Sequence, residues 1–222
     1  MPTTTLTNND DIFFFDPVND AANLNDDTIY GLGGNDDIRG SQGDDIIYGG
    51  DGADTINSSF GLNFPELRDI IPIITDGGDT IYGGAGDDLI TSIGPDPDGP
   101  GPQPATPSSI RDTVYGGPGN DSIVGNVSQA DPDAVLDTLY GGAGNDTIDG
   151  NTGNDLIYAG DGNDLVLARA NADTTDGGAG IDTIDFTNDP GSVVFNMETG
   201  DTTVTGAVTD IESNTNYENA IG

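Results

Sequence analysis

The chain has no cysteine, no histidine and no tryptophan, and it has no lysine either: its only cations are four arginines. Without cysteine there are no disulfides and no thiolate ligands, and without histidine there is no imidazole zinc site, no Cys-His pair and no Ser-His-Asp triad. Against the 4 arginines stand 36 Asp and 4 Glu, a formal charge of -36. Such a chain repels nucleic acid and anionic membranes. No wholly apolar run exceeds four residues, as in Ile12-Phe13-Phe14-Phe15, far short of the roughly 20 residues of a membrane helix. Membrane insertion is not expected. Nor is a cleaved Sec-type leader, because no basic start, apolar stretch and small-residue cleavage site open the chain; other export routes stay open.

Oxygen chemistry survives these exclusions. The negative field attracts cations, and hard cations take oxygen ligands. Asp outnumbers Glu 36 to 4, which favours tight turns, because the shorter side chain bonds back to nearby backbone.

With only 33% hydrophobic residues the chain would be disordered unless its apolar residues recur with a period. They do. From Ala22 to Asp185 it reads as fourteen nonapeptides, each a polar six-residue turn ending in Asp followed by a triplet with an aliphatic centre. Position six is Asp27, Asp36, Asp45, Asp54, Asp79, Asp88, Asp112, Asp121, Asp137, Asp146, Asp155, Asp164, Asp173 and Asp182. Position eight is Ile, Val or Leu in thirteen of the fourteen, and Thr175 is the exception. One inward residue between two outward ones is a three-residue strand, so two repeats make an 18-residue coil and fourteen make seven coils of a parallel solenoid, roughly 34 Å long at about 4.8 Å per coil.

The best turns read Gly-Gly-x-Gly-x-Asp, at Gly83 to Asp88, Gly116 to Asp121 and Gly141 to Asp146. In these repeats the sequence closely resembles the RTX nonapeptide family, over about three quarters of the chain. The resemblance implies an all-β fold, a parallel β-roll of two sheets, in which Asp carboxylates and turn carbonyls of neighbouring coils clamp Ca²⁺ and glycines supply positive φ. The organisation that follows is an N-terminal cap over 1–21, the roll over 22–185 with insertions at 58–73, 92–106 and 125–131, and a C-terminal capping segment over 186–222. In the family an uncleaved C-terminal signal directs type I secretion, which makes this tail a candidate signal and the protein a secreted, extracellular or surface one.

The two edges of the roll differ. All three insertions precede odd-numbered repeats, so they bulge from one edge. Even turns keep the motif from Gly31 to Asp36, Gly49 to Asp54, Gly83 to Asp88, Gly116 to Asp121, Gly141 to Asp146, Ala159 to Asp164 and Gly177 to Asp182. Odd turns are mostly eroded; Gly40 to Asp45 and Gly150 to Asp155 still look competent. The candidate calcium ligands are therefore Asp36, Asp54, Asp88, Asp121, Asp146, Asp164 and Asp182, with Asp45 and Asp155 opposite, and the turn residues Gly31, Gly33, Gly49, Gly83, Gly116, Gly141 and Gly177. Seven even turns enclose six gaps, so about six ions are expected along that edge and few or none along the other, where carboxylates such as Asp79, Asp112 and Asp137 are expected to cap their own loops.

Tyr30, Tyr48, Tyr82, Tyr115, Tyr140 and Tyr158 occupy position nine of odd repeats and should form one ladder, with Thr28, Thr80, Thr113, Thr138 and Thr174 at position seven of the same sheet. This is primarily cross-strand stacking; a glycan- or ice-binding face is the alternative. The Pro/Gly-rich insertion 92–106 reads as an extended or mobile loop. Thr5 to Phe13 reads as a degenerate coil with Asp10 and Ile12 in the repeat positions, and Phe13-Phe14-Phe15 as a lid on the N-terminal core.

The function these features support is an extracellular calcium-binding module that folds on Ca²⁺ outside the cell, structural or interacting, with calcium, a second copy of itself or a cell-surface glycan as partner. A filament or surface-layer subunit is a second reading. An enzyme is not expected: there is no His-Glu-x-x-His and no Gly-x-Ser-x-Gly, and a carboxylate pair acting on a glycan is the one catalytic arrangement left.

Overall fold

In each repeat the triplet alternates outward, inward, outward side chains, and the parallel stacking of these triplets builds the molecule. The structure is a computed structural model that describes residues 3–13, 26–40, 44–58, 78–92, 111–125, 136–167, 169, 173–185, 193–194, 210–211, 213–215 and 219–221. One sheet consists of β1 (Thr3–Thr5), β3 (Thr28–Gly33), β5 (Ile46–Asp51), β7 (Thr80–Ala85), β9 (Thr113–Pro118), β11 (Thr138–Ala143), β13 (Leu156–Asp161), β15 (Thr174–Ala179) and β19 (Ser213–Thr215), in that order. The other consists of β2 (Ile12–Phe13), β4 (Asp37–Arg39), β6 (Thr55–Asn57), β8 (Leu89–Thr91), β10 (Ser122–Val124), β12 (Thr147–Asp149), β14 (Leu165–Leu167), β16 (Thr183–Asp185) and β20 (Asn219–Ile221). Both are nine-stranded, and neighbours pair parallel in strict repeat register, Ile81 against Val114 and Ile90 against Ile123. A third, two-stranded sheet joins β17 (Val193–Val194) to β18 (Asp210–Ile211).

This is the parallel β-roll, all-β among the described residues, with seven repeat coils and one further coil at each end. One detail departs from the triplet pattern. Strands β3 to β15 of the first sheet are six residues long, because the odd triplet runs on into the first three residues of the even turn.

The inward row forms the core. Ile29, Ile38, Ile47, Ile56, Ile81, Ile90, Val114, Ile123, Leu139, Ile148, Ile157, Val166 and Ile184 are each at most 2% exposed, and burial of such a side chain contributes about 1.5 to 3 kcal/mol. Thr175 is buried in the same row.

The N-terminal coil corrects the expected register by one residue. Ile12 pairs with Asp37 and is 71% exposed, whereas Phe13 pairs with Ile38 and packs against the core. Asp11, not Asp10, holds position six: its N–H donates to Asp36 Oδ1 and its carbonyl accepts from the Asp37 N–H. Asp10 holds position five, accepting from the Asn35 N–H. Phe13 is the larger apolar residue, so placing it inward buries more surface. Phe14, Phe15 and residues 93–106 of the loop expected over 92–106 lie outside the described residues.

The tyrosines stack as the ladder. Successive rings from Tyr30 to Tyr158 are 4.7 to 5.1 Å apart and within 10° of parallel. Each ring face is therefore covered by the next ring, and the ladder presents ring edges outward.

Candidate metal centre

The even turns join the first sheet to the second, and every residue of all seven is described. Their backbone is fixed by glycines at the second and fourth positions, as at Gly117 (φ 116°) and Gly144 (φ 132°). In this conformation a side chain costs roughly 1–2 kcal/mol. Leu32 departs from the pattern, holding φ 81° at the second position of the first even turn.

The first-position glycines act through space rather than through φ. The positive φ expected of the turn glycines is held by those second and fourth positions, and none of Gly31, Gly49, Gly83, Gly116, Gly141 and Gly177 is left-handed. A Cβ at Gly83 would lie 2.5 Å from Asp88 Oδ2 and 2.6 Å from the Gly116 carbonyl oxygen. At Gly31 it would lie 2.6 Å from Asp36 Oδ2, and at Gly49 2.5 Å from Asp54 Oδ2. Gly116 and Gly141 likewise face the carboxylates of Asp121 and Asp146. Two oxygens thus close on the space that the missing side chain leaves. Gly33 is different, since a Cβ there would meet nothing nearer than 3.6 Å; its part is limited to its main chain. Gly177 is buried at the start of the last even turn, and Ala159 puts a methyl group at the corresponding place in its own turn.

The carboxylates run as a ladder along the stack. Each even-turn Asp accepts, on Oδ1, the backbone N–H of the Asp one coil before: Asp36 to Asp54, Asp54 to Asp88 and Asp121 to Asp146 at 2.8 Å, and Asp164 to Asp182 at 2.9 Å. The other oxygen has no such partner. Oδ2 of Asp36, Asp54, Asp88, Asp121, Asp146 and Asp164 is buried without a hydrogen bond. A buried acceptor left this way is costly, and a buried charge more so.

Burial shows in the acidity. Desolvation is the largest cause at every one of these groups: it raises Asp36, Asp54, Asp121 and Asp164 and pushes Asp88 and Asp146 up to about 7. The neighbouring N–H bonds oppose it, and repulsion from adjacent carboxylates adds to it.

The odd edge carries the same Oδ1 ladder, from Asp27 through Asp45, Asp79, Asp112, Asp137 and Asp155 to Asp173 at 2.8 to 3.0 Å. Its carboxylates do not simply cap their own loops, as expected for Asp79 and Asp137, because parallel stacking brings the neighbouring coil's N–H to each of them. Asp112 does both, accepting on Oδ2 from the Ser92 hydroxyl across its own connection. Asp155 keeps the even-edge condition: Oδ2 is buried without a hydrogen bond, near Gly150, and burial pushes its carboxyl up to about 9. Asp45 joins the ladder through Oδ1, which accepts from the Asp27 N–H, and its Oδ2 faces Gly40.

Two features of the site were not anticipated. Position five forms a second, outer ladder, in which Asn145 and Asn163 accept from the next coil's N–H at 2.8 and 2.9 Å; the recurring Asn-Asp and Asp-Asp doublets were its signal. Arg169 Nε lies 2.8 Å from both carboxylate oxygens of Asp149, a pair that only the coil geometry brings together.

Among the described residues no three acidic side chains converge on one point, so a cation between even turns would draw on few carboxylates and several main-chain carbonyls. An oxygen-only donor set, a glycine cradle and an orphaned anionic oxygen fit Ca²⁺, which tolerates irregular shells of six to eight oxygens. They fit Mg²⁺ poorly. Comparison with known families matches the RTX calcium-binding nonapeptide repeat (4 copies) over residues 22–63, 74–92, 109–127, 136–166 and 150–184, more than half of the chain. No curated protein matches significantly.

Proposed function

Because this chain belongs to the RTX calcium-binding nonapeptide repeat family, and so is a Ca²⁺-binding β-roll module, we propose that it is an extracellular protein whose folding is driven by calcium and which then acts as a structural or interaction module. The observation that carries the coupling is the row of orphaned Oδ2 atoms from Asp36 to Asp164, in a chain of charge -36. Inside a cell, where calcium is scarce, that row leaves stacked, desolvated carboxylates with no counter-charge, and the roll is unfavourable. Outside, about six ions lie along the even edge, one per gap, held by Asp36, Asp54, Asp88, Asp121, Asp146, Asp164 and Asp182 with carbonyls of the Gly31 to Gly177 turns; Asp155 and Asp45 are the odd-edge candidates. Calcium then neutralises the row and binding free energy becomes folding free energy. Export by a type I route through residues 186–222 fits this order of events, with 1–21 and 186–222 as caps. A catalytic role does not fit: the repeat aspartates are buried and engaged in ladders, not paired across an open cleft.

Far-ultraviolet circular dichroism during a calcium titration, with light scattering in parallel, tests this reading. A β signal that rises at calcium in the range of extracellular modules, about 0.1 to 1 mM, is expected, and magnesium should substitute poorly. Full β signal in chelator defeats it. A filament subunit is the second reading, favoured by the terminal strands β1 and β2 at one end and β19 and β20 at the other, where both sheets can be extended; calcium-dependent polymers of the intact chain would put it first.

A further inference from the structure

The chain's four positive charges are not spread at random: Arg39 adjoins the odd turn that starts at Gly40, Arg68 lies in the insertion 58–73, and Arg111 and Arg169 lie within odd turns. No even turn contains one. Among the described residues the arginine with the firmest partner is Arg169, at the second position of the glycine-free turn Ala168-Arg169-Ala170-Asn171-Ala172-Asp173. Its Nε is 2.8 Å from both oxygens of Asp149, which closes β12 one coil earlier, and its terminal nitrogen also meets Asp149 Oδ2. Asp149 is 6% exposed, against intermediate exposure for the same position in β10 and β14. The Asn151 N–H, at 3.0 Å from Asp149 Oδ1, completes its shell. The contact joins the end of β12 to Arg169, which follows β14 one coil on.

We propose that Arg169 is a resident cation: on the odd edge between the last two repeat coils its guanidinium does, without metal, what a calcium ion does between even turns, binding one coil to the next through a buried carboxylate. This rests on the calcium reading of the even edge and extends it to the other. The geometry is that of a forked, charge-assisted contact rather than a loose surface pair. Elsewhere on the odd edge the Ser92 hydroxyl engages Asp112 Oδ2, the oxygen that the even turns from Asp36 to Asp164 leave without a hydrogen bond, whereas Asp155 keeps it bare.

The test is a double-mutant cycle with Arg169→Ala, Asp149→Asn and both together, read by melting temperature in saturating calcium and by calcium midpoint. Arg169→Ala leaves Asp149 buried without its counter-charge and is expected to lower Tm by about 5 °C. Because several ions bind per folding event, the midpoint should rise only about twofold. The double variant should recover at least half of the loss, since no charge is then stranded, and Arg169→Lys should recover part of it. The number of bound ions, counted by native mass spectrometry, should not fall in Arg169→Ala. Additive losses in the cycle, an unchanged Tm for Arg169→Ala, or the loss of a bound ion would each overturn the proposal. Failure of the underlying calcium reading looks different, as a wild-type β signal indifferent to chelator; the Tm cycle then still decides whether Arg169 and Asp149 are coupled.

Discussion

The Asp88 N–H donates to Asp121 Oδ1 at 2.9 Å, while Asp121 Oδ2 is buried with no hydrogen bond. One oxygen of the Asp121 carboxylate thus ties two coils together, and the other is the one proposed to meet a cation. The two roles can be separated by substitution. Asp121→Asn keeps an acceptor for the Asp88 N–H and removes the charge, so it should raise the calcium midpoint of folding more than it lowers stability in saturating calcium. Asp121→Ala removes both and should do both, with a loss of about 1 to 3 kcal/mol from the unsatisfied N–H. At Asp112, where Ser92 and Asp79 already engage both oxygens, Asp112→Asn should leave the midpoint close to wild type. Equal midpoint shifts at Asp112 and Asp121, measured by circular dichroism, would refute the difference between the edges.

Acidity offers an independent check of the desolvated row. Asp88 and Asp146 are pushed up to about 7 in the metal-free fold, from an ordinary value of 3.8. Between those values the folded chain binds more protons than the unfolded one, so the stability of the metal-free fold is fully present below about pH 4 and is lost as pH rises through about 7. In chelator, acidification from pH 8 to pH 5 should therefore increase the β signal. Calcium needs the ionised carboxylates, so its apparent affinity should fall over the same interval. A metal-free β signal that is flat or falling on acidification contradicts this linkage.

Leu32 gives a backbone test. It holds φ 81° where five of the other six even turns have glycine at φ 116° to 119°. Leu32→Gly removes about 1 to 2 kcal/mol of left-handed strain against roughly 0.5 to 1 kcal/mol of added chain entropy, and a Tm increase of a degree or two is expected. Gly117→Leu should be severe, because a Cβ there collides with the Gly84 carbonyl of the preceding coil. If both variants melt like wild type in calcium, turn geometry does not limit stability.

How much of this was legible follows from what repeats. The inward row from Ile29 to Ile184, the tyrosine ladder and the Asp at position six were all visible, because a solenoid gives every repeat the same environment and the period shows in the letters. The odd edge was less legible. Most of its turns lack the motif, yet Asp79 and Asp137 keep the same Oδ1 bond as Asp45 in its competent turn, since strand stacking and not turn composition delivers the N–H. The Arg169 to Asp149 pair, 20 residues apart, could not be read from the letters because neither residue sits at a repeat-defining position. The letters mark the turn glycines alike and do not separate the second and fourth positions, where φ requires glycine, from the first, where space does.

The N-terminal coil shows how the period fails where one residue can slip. Asp10-Asp11 and Ile12-Phe13 each offer two consecutive residues for one repeat position, and a one-residue shift turns every side chain to the opposite face. The structure places Phe13 inward over Ile38 and leaves Ile12 71% exposed. Phe13→Asp should thus cost about 2 to 4 kcal/mol, as the loss of a half-buried aromatic and the burial of a charge, while Ile12→Asp should cost under about 0.5 kcal/mol, as an ordinary surface change. Removing residues 1–21 goes further, baring Ile29 and Ile38 together with the strand edges of β3 and β4, and should yield calcium-dependent oligomers by light scattering. A greater loss from Ile12→Asp than from Phe13→Asp would restore the other register, and a truncated protein that stays monomeric at high concentration would show that this coil does not cap the roll.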